Sequence, residues 1–132
     1  MTERVLILCT GNSARSQMAE GLLRGLAGGT VEVFSAGTQP SVVNPLAIEA
    51  MTERGIDISH NRSKRMNEFL SQPFNYVITV CDDAAEACPV FPGRVKRIHW
   101  SFPDPAAAAG DYDARLQVFR QTRYAIEARL RG

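Results

Sequence analysis

Apolar residues recur along this chain in two rhythms. Val5-Leu-Ile-Leu8 is an unbroken apolar run, as expected of a parallel strand covered on both faces. Val31-Glu-Val-Phe34 alternates, and Tyr76-Val-Ile-Thr-Val80 and Val95 to Trp100 give two further strands. Between them the period lengthens to that of a helix. Ser16 to Leu26 sets Met18, Leu22, Leu23 and Leu26 on one stripe, with Gly28-Gly29 as the stop. Asn44-Pro45 is a capping side chain followed by proline at the first helical position. It opens a helix to about Arg54, with Leu46, Ala47, Ala50 and Met51 inward. Met66 to Leu70 predicts a short helix. Tyr112 to Leu130 predicts a long one, with Leu116, Phe119, Ile126 and Leu130 on its inner face. Ser35 to Pro40 reads as a loop. Strands alternating with helices predict an α/β fold, a three-layer, doubly wound, four-stranded parallel sheet. The 132 residues fit one domain, 1–132.

Composition narrows the function. The net charge is +1, without the basic excess that nucleic-acid or membrane-surface binding would call for. No apolar run approaches a membrane span, and Val5 to Leu8 is too short for a signal-peptide core. The expectation is a cytosolic monomer. The three cysteines, Cys9, Cys81 and Cys88, are too few and odd in number for a disulfide scaffold. They point to buried thiols, a metal site or chemistry. Their spacing matches no zinc pattern, and His60 and His99 have no evident partner positions, so no metal is expected.

Ligands of open parallel sheets bind beyond the carboxyl ends of the strands. Cys9 ends the first strand, Cys81 the third, and Asp104 follows the fourth. Thr10, Gly11, Asn12, Ser13 and Ala14 join the first strand to a helix that begins near Arg15 and Ser16. Backbone N–H groups and the positive end of the helix dipole favour an anion there. Gly11 and Asn12 tolerate left-handed backbone. Arg15 adds a planar fork for two oxygens of a tetrahedral oxyanion. The same field lowers the pKa of Cys9 and makes it a candidate nucleophile, to whose thiolate Ser16 could donate a hydrogen bond. The loop lacks the Lys-Ser/Thr pair of a Walker A motif.

Cys9-x5-Arg15-Ser16 after a first strand resembles the signature of the low-molecular-weight tyrosine phosphatases. The fuller string Leu8-Cys-Thr-Gly-Asn-Ser-Ala-Arg-Ser-Gln-Met-Ala-Glu20-Gly21 is similar to their relatives, the thioredoxin-coupled arsenate reductases. Ser35-Ala-Gly37, Asn44-Pro45, Gly55-Ile-Asp-Ile-Ser59, Val80-Cys81, Cys88-Pro89, His99-Trp100 and Asp104-Pro105 extend that resemblance over nearly the whole chain, in the family's order. The resemblance implies the low-molecular-weight phosphatase fold and an arsenic-detoxifying reductase. Its substrate-binding residues would be Thr10 to Ser16. Cys9 would attack arsenate, Asp104 would act as general acid, and Cys81 and then Cys88 would relay the oxidation. No cofactor would be bound; thioredoxin would supply the electrons. Phosphate and sulfate should bind the same loop as arsenate. An uninterrupted helix over Asp82 to Ala87 would hold Cys81 and Cys88 about 10 Å apart. A disulfide needs Cα atoms within about 7 Å, so this segment should unwind on oxidation.

Two alternatives stay open: a phosphatase for aryl esters, with Cys81 and Cys88 idle, and a module that only binds oxyanions or senses oxidation. The chain also departs from the family pattern. Ala14 stands where many members carry a fourth cysteine. Some members bind potassium behind the loop, at the positions of Asn12, Glu20, Ser35 and an acidic residue. Here the last is Lys64, with Arg62 nearby. Lys64 is expected to replace the cation and pair with Glu20.

Overall fold

The computed structural model describes residues 3–9, 11–27, 31–37, 42–69, 72–80, 96–100, 102, 105 and 108–131. Its strands are β1 (Glu3–Cys9), β2 (Val31–Gly37), β3 (Tyr76–Thr79) and β4 (Lys96–His99), and its helices α1 (Arg15–Ala27), α2 (Pro45–Glu53) and α3 (Tyr112–Arg131). Met66–Phe69 is a single 3-10 turn, at the place of the short helix expected from sequence. All pairings are parallel, in the order β2-β1-β3-β4. The two central strands, β1 and β3, are flanked on both sides. This is why Leu6, Ile7 and Leu8 are all fully buried although consecutive side chains point to opposite faces.

The β1 face carrying Val5, Ile7 and Cys9 continues in register through Val33 and Ser35 of β2. Against it lies α1, whose Glu20 accepts a hydrogen bond from Ser35 Oγ at 2.8 Å. In turn α1 packs on α2 and α3. The close approach of α1 and α2 depends on Gly21, where a Cβ would lie 2.9 Å from Met51 Cε and 3.0 Å from Ile58 Cγ2. On the other face, Phe34, Phe69 and Phe74 form a cluster of tilted and edge-on rings. The Arg4 guanidinium lies 4.9 Å from the Phe34 centroid and 4.8 Å from that of Phe74, a geometry that favours the cation.

The cap of α2 forms as expected: Asn44 Oδ1 accepts from Leu46 N at 2.9 Å, with proline at the first position. Two sequence expectations need correction. Ser35 to Gly37 is strand, not loop, because Ser35, Ala36 and Gly37 pair with Ile7, Leu8 and Cys9. The Ser-Ala-Gly composition hides a fully buried strand end. Leu26 is 39% exposed, so it lies off the inward stripe of α1. That helix spends its buried surface near its start, where Ser16, Gln17, Met18, Ala19, Glu20, Gly21 and Leu22 are all enclosed. The expected helix over Asp82 to Ala87 lies outside the described residues.

Candidate active site

Cys9 is the last residue of β1 and Arg15 the first of α1. The connecting loop therefore delivers the chain from the carboxyl edge of the sheet straight into a helix N-terminus, as an anion site requires. Cys9 is buried, 3% exposed, and paired in register with Gly37. Val80 N donates to Leu8 O at 2.9 Å, which carries the β1–β3 ladder to within one residue of Cys81 in the chain. The carboxyl ends of β1, β2 and β3 thus lie side by side, as the expected convergence needs. Thr10, Cys81, Cys88 and Asp104 themselves lie outside the described residues.

Asn12 braces the loop from behind. Asn12 has φ +47°, a left-handed conformation that Asn tolerates better than most residues, and it is fully buried. Its Nδ2 donates to Ser16 Oγ at 2.8 Å and to Ser35 Oγ at 2.9 Å. Its Oδ1 accepts from Gln17 Nε2 at 2.9 Å and from Lys64 N at 2.8 Å. Its backbone oxygen accepts from Ser63 Oγ at 2.7 Å. One residue thereby ties the anion loop to α1, to β2 and to the Asn61–Arg65 stretch. Receiving the Asn12 donor turns the Ser16 hydroxyl's own proton away from Asn12, which is compatible with donation toward the loop. Gln17, Asn61 and Ser63 were not singled out from sequence. No periodic signal marked them: Gln17 lies off the apolar stripe of Met18, Leu22, Leu23 and Leu26, and Asn61 and Ser63 fall outside any predicted element.

The polar cluster extends to Glu20, whose side chain is 4% exposed. It accepts from Ser35 Oγ and, at 3.1 Å, from Asn61 Nδ2. It pairs with Arg24 at 3.4 Å and with Lys64 Nζ at 3.9 Å. The Lys64–Glu20 pairing expected from sequence is therefore present. Lys64 Nζ also donates to Arg62 O at 2.9 Å. Burial pushes the Lys64 ammonium below its ordinary pKa, with the Glu20 carboxylate acting in the opposite direction. A potassium ion does not fit this donor set: Asn12 Oδ1 already accepts two N–H groups, and an ammonium already faces Glu20. The same stretch closes on the sheet, where Gly37 N donates to Lys64 O at 2.7 Å and Gly37 bridges Arg65.

Arg15 Nη1 donates to Phe102 O at 3.0 Å. At the carboxyl end of β3, Thr79 Oγ1 and His99 Nδ1 are 2.7 Å apart, which fixes the strand-end imidazole. His60 is exposed in a turn beside Asp57.

A cysteine at a strand end, an arginine-led helix N-terminus and a buried brace make this edge of the four-stranded parallel sheet a candidate oxyanion site. Residues 4–132 match the family described as low molecular weight phosphotyrosine protein phosphatase, and the chain belongs to that family. Its relatives there include an arsenate reductase of Shouchella clausii, 45% identical over 132 residues, covering 99% of this chain and 95% of that protein. The fold is similar to a solved arsenate reductase in the oxidized state, with a TM-score of 0.84 and 32% identity, covering 98% of this chain and 94% of that one. It is also similar to a thioredoxin-dependent arsenate reductase of Corynebacterium glutamicum, with a TM-score of 0.76 and 32% identity, covering 98% of this chain and 59% of that one.

Proposed function

We propose that this chain is an arsenate reductase that works by a three-cysteine relay and is regenerated by thioredoxin. The observation that carries the reading is Cys9 at the carboxyl end of β1 with Arg15 opening α1, in a chain similar over nearly its full length to arsenate reductases. The helix N-terminus and the Arg15 fork attract the anion and favour the thiolate over the thiol. The Cys9 thiolate attacks arsenic, and an arsenate oxygen leaves as water after protonation by Asp104. Cys81 then attacks Cys9 Sγ. The S–S bond forms as the S–As bond breaks, its electron pair stays on arsenic, and arsenite departs. Cys88 attacks Cys81, which frees Cys9 and leaves a Cys81–Cys88 disulfide. The dithiol of thioredoxin reduces that bond by the same exchange chemistry. The protein acts as a cytosolic monomer without a bound cofactor, and phosphate and sulfate compete for the loop.

The test is arsenate-dependent NADPH oxidation with thioredoxin and its reductase, for the wild type and Cys88→Ser side by side. Turnover in the wild type alone is expected. Hydrolysis of an aryl phosphate by both proteins, with arsenate reduction by neither, would instead make the chain a phosphatase.

A further inference from the structure

Arg15 and Phe102 stand 87 positions apart, yet the Arg15 guanidinium donates to the Phe102 carbonyl at 3.0 Å. Phe102 is 7% exposed. Pro105, three positions on, is also buried, and its carbonyl accepts from Ala108 N at 3.2 Å. Asp104 lies in the chain between these two anchors. Phe102, two positions before Asp104 in the chain, is thus fastened to the same guanidinium that the anion loop offers its ligand. Asp104 is also flanked in sequence by Pro103 and Pro105. Pro103 fixes one φ on the path between the held carbonyl and Asp104.

We propose that Arg15 is a positioning residue for Asp104 as well as a binding residue for the oxyanion. The guanidinium is planar and carries its donors in a fixed fork. A donor anchored on Phe102 O therefore sets where the acid-bearing stretch enters relative to the anion. A general acid must come within about 2.6–3.2 Å of the oxygen it protonates, and a misplacement of about 1 Å can cost roughly 10²-fold. The contact supplies that precision at one end of the stretch. The kinetic part rests on Asp104 being the general acid; the tether itself does not.

The experiment has two arms. The first uses wild type and Arg15→Ala in buffer free of phosphate, sulfate and arsenate. It follows amide exchange of Trp100, Ser101, Phe102 and Asp104 and the emission of Trp100, the chain's one tryptophan. Loss of a charge-assisted hydrogen bond should speed exchange there by roughly tenfold or more and shift the emission, while the thermal midpoint falls by only a few degrees. With no anion present, an arginine that only binds anions changes neither, and that result overturns the proposal. The second arm is a double-mutant cycle on single-turnover arsenate reduction. Asp104→Asn should slow the wild type by about 10²–10⁴-fold and slow Arg15→Lys by less than about tenfold, because in that background the acid is already misplaced. Equal losses in both backgrounds overturn the proposal. If Asp104→Asn leaves the wild type unchanged, the general-acid reading fails, and the exchange arm decides the tether by itself.

Discussion

Replacing Asn12 by alanine tests whether the anion loop is built from behind. The side chain makes four hydrogen bonds, to Ser16 Oγ, Ser35 Oγ, Gln17 Nε2 and Lys64 N, all within 2.9 Å. Not all four are lost outright. Gln17 Nε2 keeps the carbonyls of Asn12 and Arg62, and Ser35 keeps Glu20. The largest cost falls on Lys64 N, a backbone donor deprived of this acceptor, at about 1–3 kcal/mol. Weakened bonds at Ser16 and Ser35 add about 1 kcal/mol. Holding alanine at φ +47° adds about 1 kcal/mol more. The expected total is about 3–5 kcal/mol, a large share of the roughly 5–15 kcal/mol stability of a domain. Asn12→Gly loses the same hydrogen bonds but tolerates the backbone, so it should cost about 1 kcal/mol less. Urea unfolding at unchanged slope measures both. A cost under about 1 kcal/mol for Asn12→Ala would refute the bracing argument, and equal costs for the two variants would refute the part assigned to φ.

Two further perturbations address the packing and charge behind the site. Because burial lowers the pKa of Lys64 from its usual 10.5, the unfolded chain holds that proton more tightly than the folded one. The destabilisation is fully present below the folded pKa. Stability should therefore rise with pH up to about 10.5, and Lys64→Met should flatten the rise in urea midpoints. The same ammonium beside Glu20 predicts that exchanging sodium for potassium leaves arsenate reduction unchanged; stimulation by potassium would contradict it. At the α1–α2 contact, Gly21→Ala places a methyl against Met51 and Ile58. It should cost about 1–3 kcal/mol by overpacking, and an unchanged thermal midpoint would show that the Met51 and Ile58 side chains give way.

Periodicity and punctuation located β1, the α2 cap and the long α3, because those signals are local: an apolar run, an Asn-Pro pair, a 3.6-residue stripe. The spacing of Cys9 and Arg15 was legible for the same reason, since strand, loop and helix start are contiguous in the chain. What the linear pattern could not show is which buried surface is polar. Ser35 to Gly37 carries no strand signal, and it is strand because β1 offers it a ladder. Gln17, Glu20, Asn61 and Ser63 look like solvated residues until the sheet, α1 and the Asn61–Arg65 stretch close around Asn12. Their burial is tolerable only because each finds a hydrogen-bond partner from another element. Sequence alone thus determined the fold class and the place of Cys9 at a strand end. Tertiary structure decided what braces the loop and that Arg15 reaches Phe102, two positions before Asp104 in the chain. These are contacts between residues far apart in the chain, and a one-dimensional pattern records no distance between them.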